Sequence, residues 1–178
     1  MKLQRDYPPQ GLAWAIWGLG AGFFLVGFFH RVAPGVLTRE LSQDFGLTAT
    51  SLGGLSGLYF YSYVAMQIPT GVLADRIGPR RLLVIGGLLT GLGTLLFAFA
   101  PTVFWAGLGR FIIGGSVAVA FVSTLKLTVH WFTPQQYSLA AGFLLVAGMI
   151  GAEGITGPMV AQACATSARV IASAASEL

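Results

Sequence analysis

Charge is missing where a water-soluble chain would need it. Residues 12–29 hold no charged side chain, and the stretches 50–73, 82–100, 102–128 and 136–160 hold only Arg110, Lys126 and Glu153 between them. A bilayer core about 30 Å thick is crossed by about 20 helical residues. Each of these runs, the first extended to residue 36, is therefore read as a membrane-spanning helix. Charged types make up 9% of the chain and hydrophobic types 55%, whereas a soluble domain carries about 25% charge. Glycine is 25 of 178 residues with no Gly-x-y period, which excludes collagen and suits helices packed closely in lipid. The fold class is an all-α, polytopic helical membrane protein with five spans, at 12–36, 50–73, 82–100, 102–128 and 136–160.

The flanking segments read differently. Residues 1–11 form a polar, basic N-terminus, and the first run is too long for the core of a signal peptide. Residues 161–178 are Ser/Ala-rich, lack the bulky apolar character of the spans, and form an atypical tail. The single Cys164 cannot form an internal disulfide. With the N-terminus inside, the inner segments carry Lys2, Arg5, Arg76, Arg80, Arg81 and Lys126, and the outer ones only Arg39 and Arg169. The positive-inside rule therefore predicts a cytoplasmic N-terminus. No basic run is long enough for nucleic acid, and neither a metal nor a cofactor is expected.

Three local signals bear on helix ends and packing. Thr48 or Thr50 can cap the second span. Gly18/Gly22, Gly53/Gly57 and Gly87/Gly91 are spaced four apart and read as helix–helix contacts. Only one or two residues separate the third span from the fourth, which predicts a tight antiparallel pair.

The turn between spans two and three, from Gly71 to Leu83, is short and densely charged. Asp75 stands at a helix end, where a carboxylate can cap N–H groups or meet a helix N-terminal dipole. Gly71, Leu73, Asp75, Arg76, Gly78, Arg80 and Leu83 fill the pattern G-x-L-a-D-r-x-G-r-k-x-x-l. This segment resembles the signature loop of the major facilitator superfamily, with Pro79 in place of the first basic residue after the second glycine. Arg110–Gly114 in span four is similar to that family's R-x-x-x-G pattern, and Trp131-Phe132-Thr133-Pro134 is also family-like. Gly148, Gly154, Gly157 and Pro158 look like the Gly-Pro motif of its antiporters. The spacing is one residue short and Ala161 replaces a usual glycine, so antiport is not inferred.

The resemblance covers residues 12–160 and implies a fold, part of the N-terminal six-helix bundle of a twelve-helix transporter. It implies secondary active transport of a small-molecule substrate across a plasma or bacterial inner membrane. It also implies a gating role for Gly71, Asp75, Arg76, Gly78 and Arg80. With five spans the chain reads as an incomplete N-terminal half, expected to pair with a separate C-terminal half or to self-associate within the bilayer. Spans one, two, four and five are expected to line a cavity.

Ionisable side chains inside spans are expensive in lipid and should face a partner or a wet cavity. Arg31, Arg110 and Glu153 are the candidates for substrate or proton coupling. Tyr59, Tyr63 and Gln67, on one helical face at i, i+4 and i+8, join them. At 1.5 Å per residue, Arg31 and Glu153 lie about 28 and 26 Å along their helices. Matched depth predicts an interaction, with His30 nearby. In the organophosphate branch of the family an arginine of the first helix binds the anionic substrate, and Arg31 sits in a similar context. Two rival classes fit parts of the sequence. A regulatory sensor or non-functional fragment built on the transporter fold is one. The other is an intramembrane serine protease using Ser56 of Gly54-Leu-Ser56-Gly57 with His30 as base. Four glycines crowd residues 46–57, so that four-residue match is cheap.

Overall fold

The computed structural model describes residues 9–36 and 38–154. The chain forms α1 (Gln10–Val36), a short α2 (Thr38–Phe45), α3 (Ala49–Ile77), α4 (Pro79–Ala98), α5 (Val103–Trp131) and α6 (Pro134–Met149). A π-helical turn, Ile150–Gly154, continues α6, and no strand occurs among the described residues. The all-α class is as the sequence reading has it. The break between the first two spans is not featureless, because α2 occupies most of it.

Sequence chemistry explains the boundaries. Thr48 caps α3, its Oγ1 accepting from the Ser51 N–H at 3.3 Å. Pro79 and Pro134 occupy the first turns of α4 and α6, where a missing N–H removes no helical bond. The Thr133 N–H donates to the Gln136 side chain at 3.4 Å. Only Gly78 separates α3 from α4, with φ +88°, a conformation that a side chain disfavours. The α4–α5 link runs over residues 99–102, longer than the one or two residues expected, because α4 ends at Ala98.

Four helices are long and apolar enough to cross a membrane: Gln10–Val36, Pro79–Ala98, Val103–Trp131 and Pro134–Ala152. α3 has the length, with 29 residues. Its Tyr59, Ser62, Tyr63, Gln67 and Thr70 lower its hydropathy, and composition alone does not put it with the four. Tyr59, Ser62 and Thr70 are buried against the rest of the bundle.

α5 is the hub. It touches α1, α3, α4 and α6, and Ala106, Ile113, Ala118 and Ala120 have no exposed surface. The fourth span, expected on a cavity wall, is thus the most enclosed helix. α4 packs on α5 with one face and exposes Val84, Leu88, Leu92 and Leu95 with the other, an apolar stripe suited to lipid.

The close helix approaches do not use the glycine pairs expected. A Cβ at Gly18, Gly22, Gly53, Gly87 or Gly91 would meet nothing within 4 Å, and one at Gly57 would touch only Tyr61 of its own helix. The intimate contacts fall elsewhere. Gly109 lies against the backbone of Gly93 and Phe97, Gly114 against the Tyr59 carbonyl, Gly27 against Val117, and Gly151 against the Leu25 carbonyl. A spacing of four identifies a helical face but not the face that meets a neighbour.

Candidate substrate site and interhelical latch

The end of α1 gathers most of the candidate site residues. The Arg31 guanidinium lies over the rings of Phe28, Phe60 and Tyr63, at 5.4, 5.0 and 5.6 Å from their centroids. These are cation–π contacts from one turn of α1 and one turn of α3. Tyr63 stacks on Tyr59 at 6.1 Å and 10°. The Arg110 guanidinium covers Tyr59 at 4.9 Å. Two arginines from different helices therefore flank one pair of stacked tyrosines.

Their environments separate their capabilities. Arg110 is only 1% exposed. Its Nη1 donates to the His30 carbonyl at 2.6 Å, while Nε and Nη2 lack a hydrogen-bond partner. Arg110 thus fixes the turn of α1 that carries Arg31. Arg31 is half-buried and is the cation of the two that a solute can reach. Among the described side chains no carboxylate pairs with it, since the ion pair there joins Lys126 and Asp75. The Tyr59 hydroxyl donates to the Gly27 carbonyl at 3.1 Å, so its polar end is committed to helix packing. Gln67 is half-buried one turn beyond Tyr63. His30 Nε2 meets the Thr94 hydroxyl at 3.2 Å and not Ser56, which leaves the protease reading without its nucleophile–base contact. The side chain of Glu153 lies outside the described residues, as do Gly157, Pro158 and the tail.

A second constellation closes the opposite end. Asp75, in the last turn of α3, accepts from Lys126 Nζ at 2.6 Å, and the same ammonium donates to the Gly71 carbonyl at 2.8 Å. Asp75 is therefore tied to the side of α5, which corrects its expected role as a cap on helix N–H groups. Three residues separate Gly71 carbonyl and Asp75 carboxylate along α3, so one long cation bridges a full helical turn. Arg80 stacks over Trp131 at 4.0 Å, adding a second link between the turn at Gly78 and the end of α5.

Residues 14–174 match the family model described as the Major Facilitator Superfamily. The chain belongs to that superfamily. It is 36% identical over 140 residues to an uncharacterized transporter, YybO, of Bacillus subtilis, covering 79% of this chain and 32% of the relative. It is 29% identical over 145 residues to a probable sulfoacetate transporter of Cupriavidus necator, covering 82% of this chain and 34% of the relative. A probable galactarate/D-glucarate transporter of Escherichia coli is 26% identical over 122 residues, with 65% and 28% covered. The chain spans about a third of the length of these relatives.

For this major facilitator chain, the sequence reading missed three participants. From the sequence alone Lys126 is only an inner positive charge, yet it holds the signature-loop aspartate. Its position five residues before Trp131, at the end of the same helix, was the available signal. Nothing in the sequence reading singles out Phe28 or Phe60, yet they form most of the Arg31 cradle. An arginine three residues after one phenylalanine on the same helix could have indicated the first of these contacts.

Proposed function

We propose that this chain supplies helices to a secondary transporter of small organic anions that works by alternating access, and that it catalyses no covalent chemistry. The observation that carries the reading is Arg31, a half-buried cation cradled by three rings where α1 meets α3. A charge in that setting is stabilised by an arriving anion. Two of the relatives are named for sulfoacetate and for galactarate or D-glucarate, all anionic at neutral pH, and this supports the class. Tyr63 and Gln67 continue the solute-facing side of α3, while Arg110 and Tyr59 act as positioning groups. Glu153 completes the site as the partner of Arg31 when no anion is bound.

In this reading α3 is the fifth span, its polar side turned to protein and its remaining surface to lipid. The N-terminus and the turn at Gly78 face the cytoplasm of a bacterial cell, in its inner membrane. Gly71, Asp75, Arg76, Gly78 and Arg80, now joined by Lys126, form the gate. The exposed side of the bundle that carries Arg31 meets a C-terminal half on another chain, or a second copy of this one.

The test is ligand stabilisation of the purified 178-residue chain in neutral detergent, comparing tartrate with threitol. The two share a four-carbon skeleton and differ in the terminal carboxylates. A ligand at 100 times its Kd stabilises the folded state by about 2.7 kcal/mol. Tartrate is expected to raise the unfolding temperature, threitol to leave it unchanged, and Arg31→Met to remove the response. Equal responses to both compounds, or a tartrate response that survives Arg31→Met, would overturn the anion reading.

A further inference from the structure

Where α3 ends, α4 begins and α5 finishes, the surface folds into an open pocket of about 370 Å³ lined by Gly78, Arg80, Arg81, Leu127, His130 and Trp131, among others. Two guanidinium groups and an imidazole converge there, and its lining among the described residues holds no carboxylate. Asp75, on the adjoining turn of α3, is paired with Lys126. The described lining of the pocket is thus basic.

Its cations are held in a usable pose. Trp131 covers one face of the Arg80 guanidinium at 4.0 Å. Stacking leaves the in-plane N–H edges free, and those edges match two oxygens of a phosphate. His130 Nδ1 is 2.8 Å from the Lys126 carbonyl. A carbonyl only accepts, so Nδ1 carries the hydrogen and Nε2 is left as the outward atom. Arg81 is exposed beside them.

The pocket's surroundings identify what would fill it. One turn beyond Arg80 and Arg81, α4 begins its exposed apolar stripe, with Val84 64% and Leu88 71% exposed. Val129 is exposed on α5 just before His130. Basic groups above an apolar wall, with a tryptophan at the border, are complementary to an anionic head joined to hydrocarbon chains. A free anion would use the first feature and leave the second without purpose.

We propose that this pocket binds the phosphate headgroup of an anionic glycerophospholipid, with Arg80 and Arg81 as its ligands, Trp131 as the platform beneath Arg80, and the acyl chains lying along Val84 and Leu88. The occupant would sit one helical turn from the Asp75–Lys126 pair, because His130 is bonded to the backbone of Lys126 itself. The site is independent of the solute reading above and stands or falls separately.

The experiment titrates the purified full chain, in a neutral maltoside detergent, with dioleoyl phosphatidylglycerol or dioleoyl phosphatidylcholine and counts lipid adducts by native mass spectrometry. The glycerol lipid is expected to bind about tenfold more tightly, and the double variant Arg80→Gln/Arg81→Gln to erase that preference. Arg39→Gln, on α2, should retain it. Should the double variant fail to fold, Arg81→Gln alone is read instead, with a loss of about threefold expected. Phosphatidylglycerol preference unchanged in whichever folded variant is measured would overturn the proposal. So would full displacement of the lipid by an equal concentration of inorganic phosphate, which would mark the pocket as a free-anion site.

Discussion

Gly114 sits where α5 comes closest to α3. A Cβ there would collide with the Tyr59 carbonyl oxygen and Ser62 Oγ, and would lie 2.9 Å from the Tyr59 carbonyl carbon. Ordinary carbon–oxygen contacts are near 3.3–3.6 Å, so Gly114→Ala would force the two helices apart by about 1 Å. The obstacle is mostly backbone, and no side-chain rotation relieves it. Overpacking of this kind destabilises by about 1–3 kcal/mol, and the backbone clash puts this case at the upper end. Replacing a helical glycine by alanine returns about 1 kcal/mol of propensity, so the net loss is about 2 kcal/mol. Gly91→Ala is the matched control, because a Cβ there meets nothing within 4 Å. It should keep the full propensity gain. For a chain of this size each kcal/mol moves the midpoint by about 2–4 °C. Thermal unfolding in detergent, followed by helical circular dichroism, should therefore shift the two variants in opposite directions, by a total of about 6–12 °C. Gly114→Ala at or above the wild-type midpoint would refute the close α3–α5 approach, and with it the geometry that sets Arg110 over Tyr59.

Three further outcomes are expected. The Asp75 side chain is 75% exposed and that of Lys126 29%; such pairs contribute about 0–1 kcal/mol. Asp75→Asn should thus leave the unfolding midpoint within about 3 °C while abolishing solute flux in a complete transporter, and unchanged flux would reduce the loop to a topology anchor. In a Cys164→Ser background, a cysteine at 78 should react with an impermeant maleimide only after cells are permeabilised, and one at 43 should react in intact cells; the reverse pattern would invert the topology. A thermal double-mutant cycle of Arg31→Met and Glu153→Gln should be non-additive, with either single change costing about 3–5 kcal/mol if the pair is buried. Strictly additive effects would leave two unrelated charges.

The helices themselves were legible because uncharged runs of span length have few alternatives, and because Thr48, Pro79 and Pro134 punctuate them by local chemistry. The signature loop was legible as a string of spaced residues. What could not be read was which face of each helix meets protein. Gly87 and Gly91 fit a packing motif as well as Gly86 and Gly93 do, yet only the latter two approach other helices. That choice depends on helix rotation, which five nearly uniform apolar surfaces leave undetermined at the level of one sequence. Lys126 escaped for a related reason. It lies 51 residues from Asp75, and a pairing over that distance is fixed by the α3–α5 crossing, not by spacing. The Arg110 link to His30, across 80 residues, is of the same kind.

The position of α5 in the chain has a bearing on how the protein is made. α1, α3 and α4 leave the ribosome before it, yet they touch one another sparsely and touch α5 extensively. Until residues 103–131 enter the bilayer, the earlier helices have little to dock on. Assembly therefore waits for the fifth helix and then proceeds on several sides at once. A nascent chain halted between α4 and α5 should be a set of loosely associated hairpins, open to membrane proteases. One halted after Trp131 should already resist them.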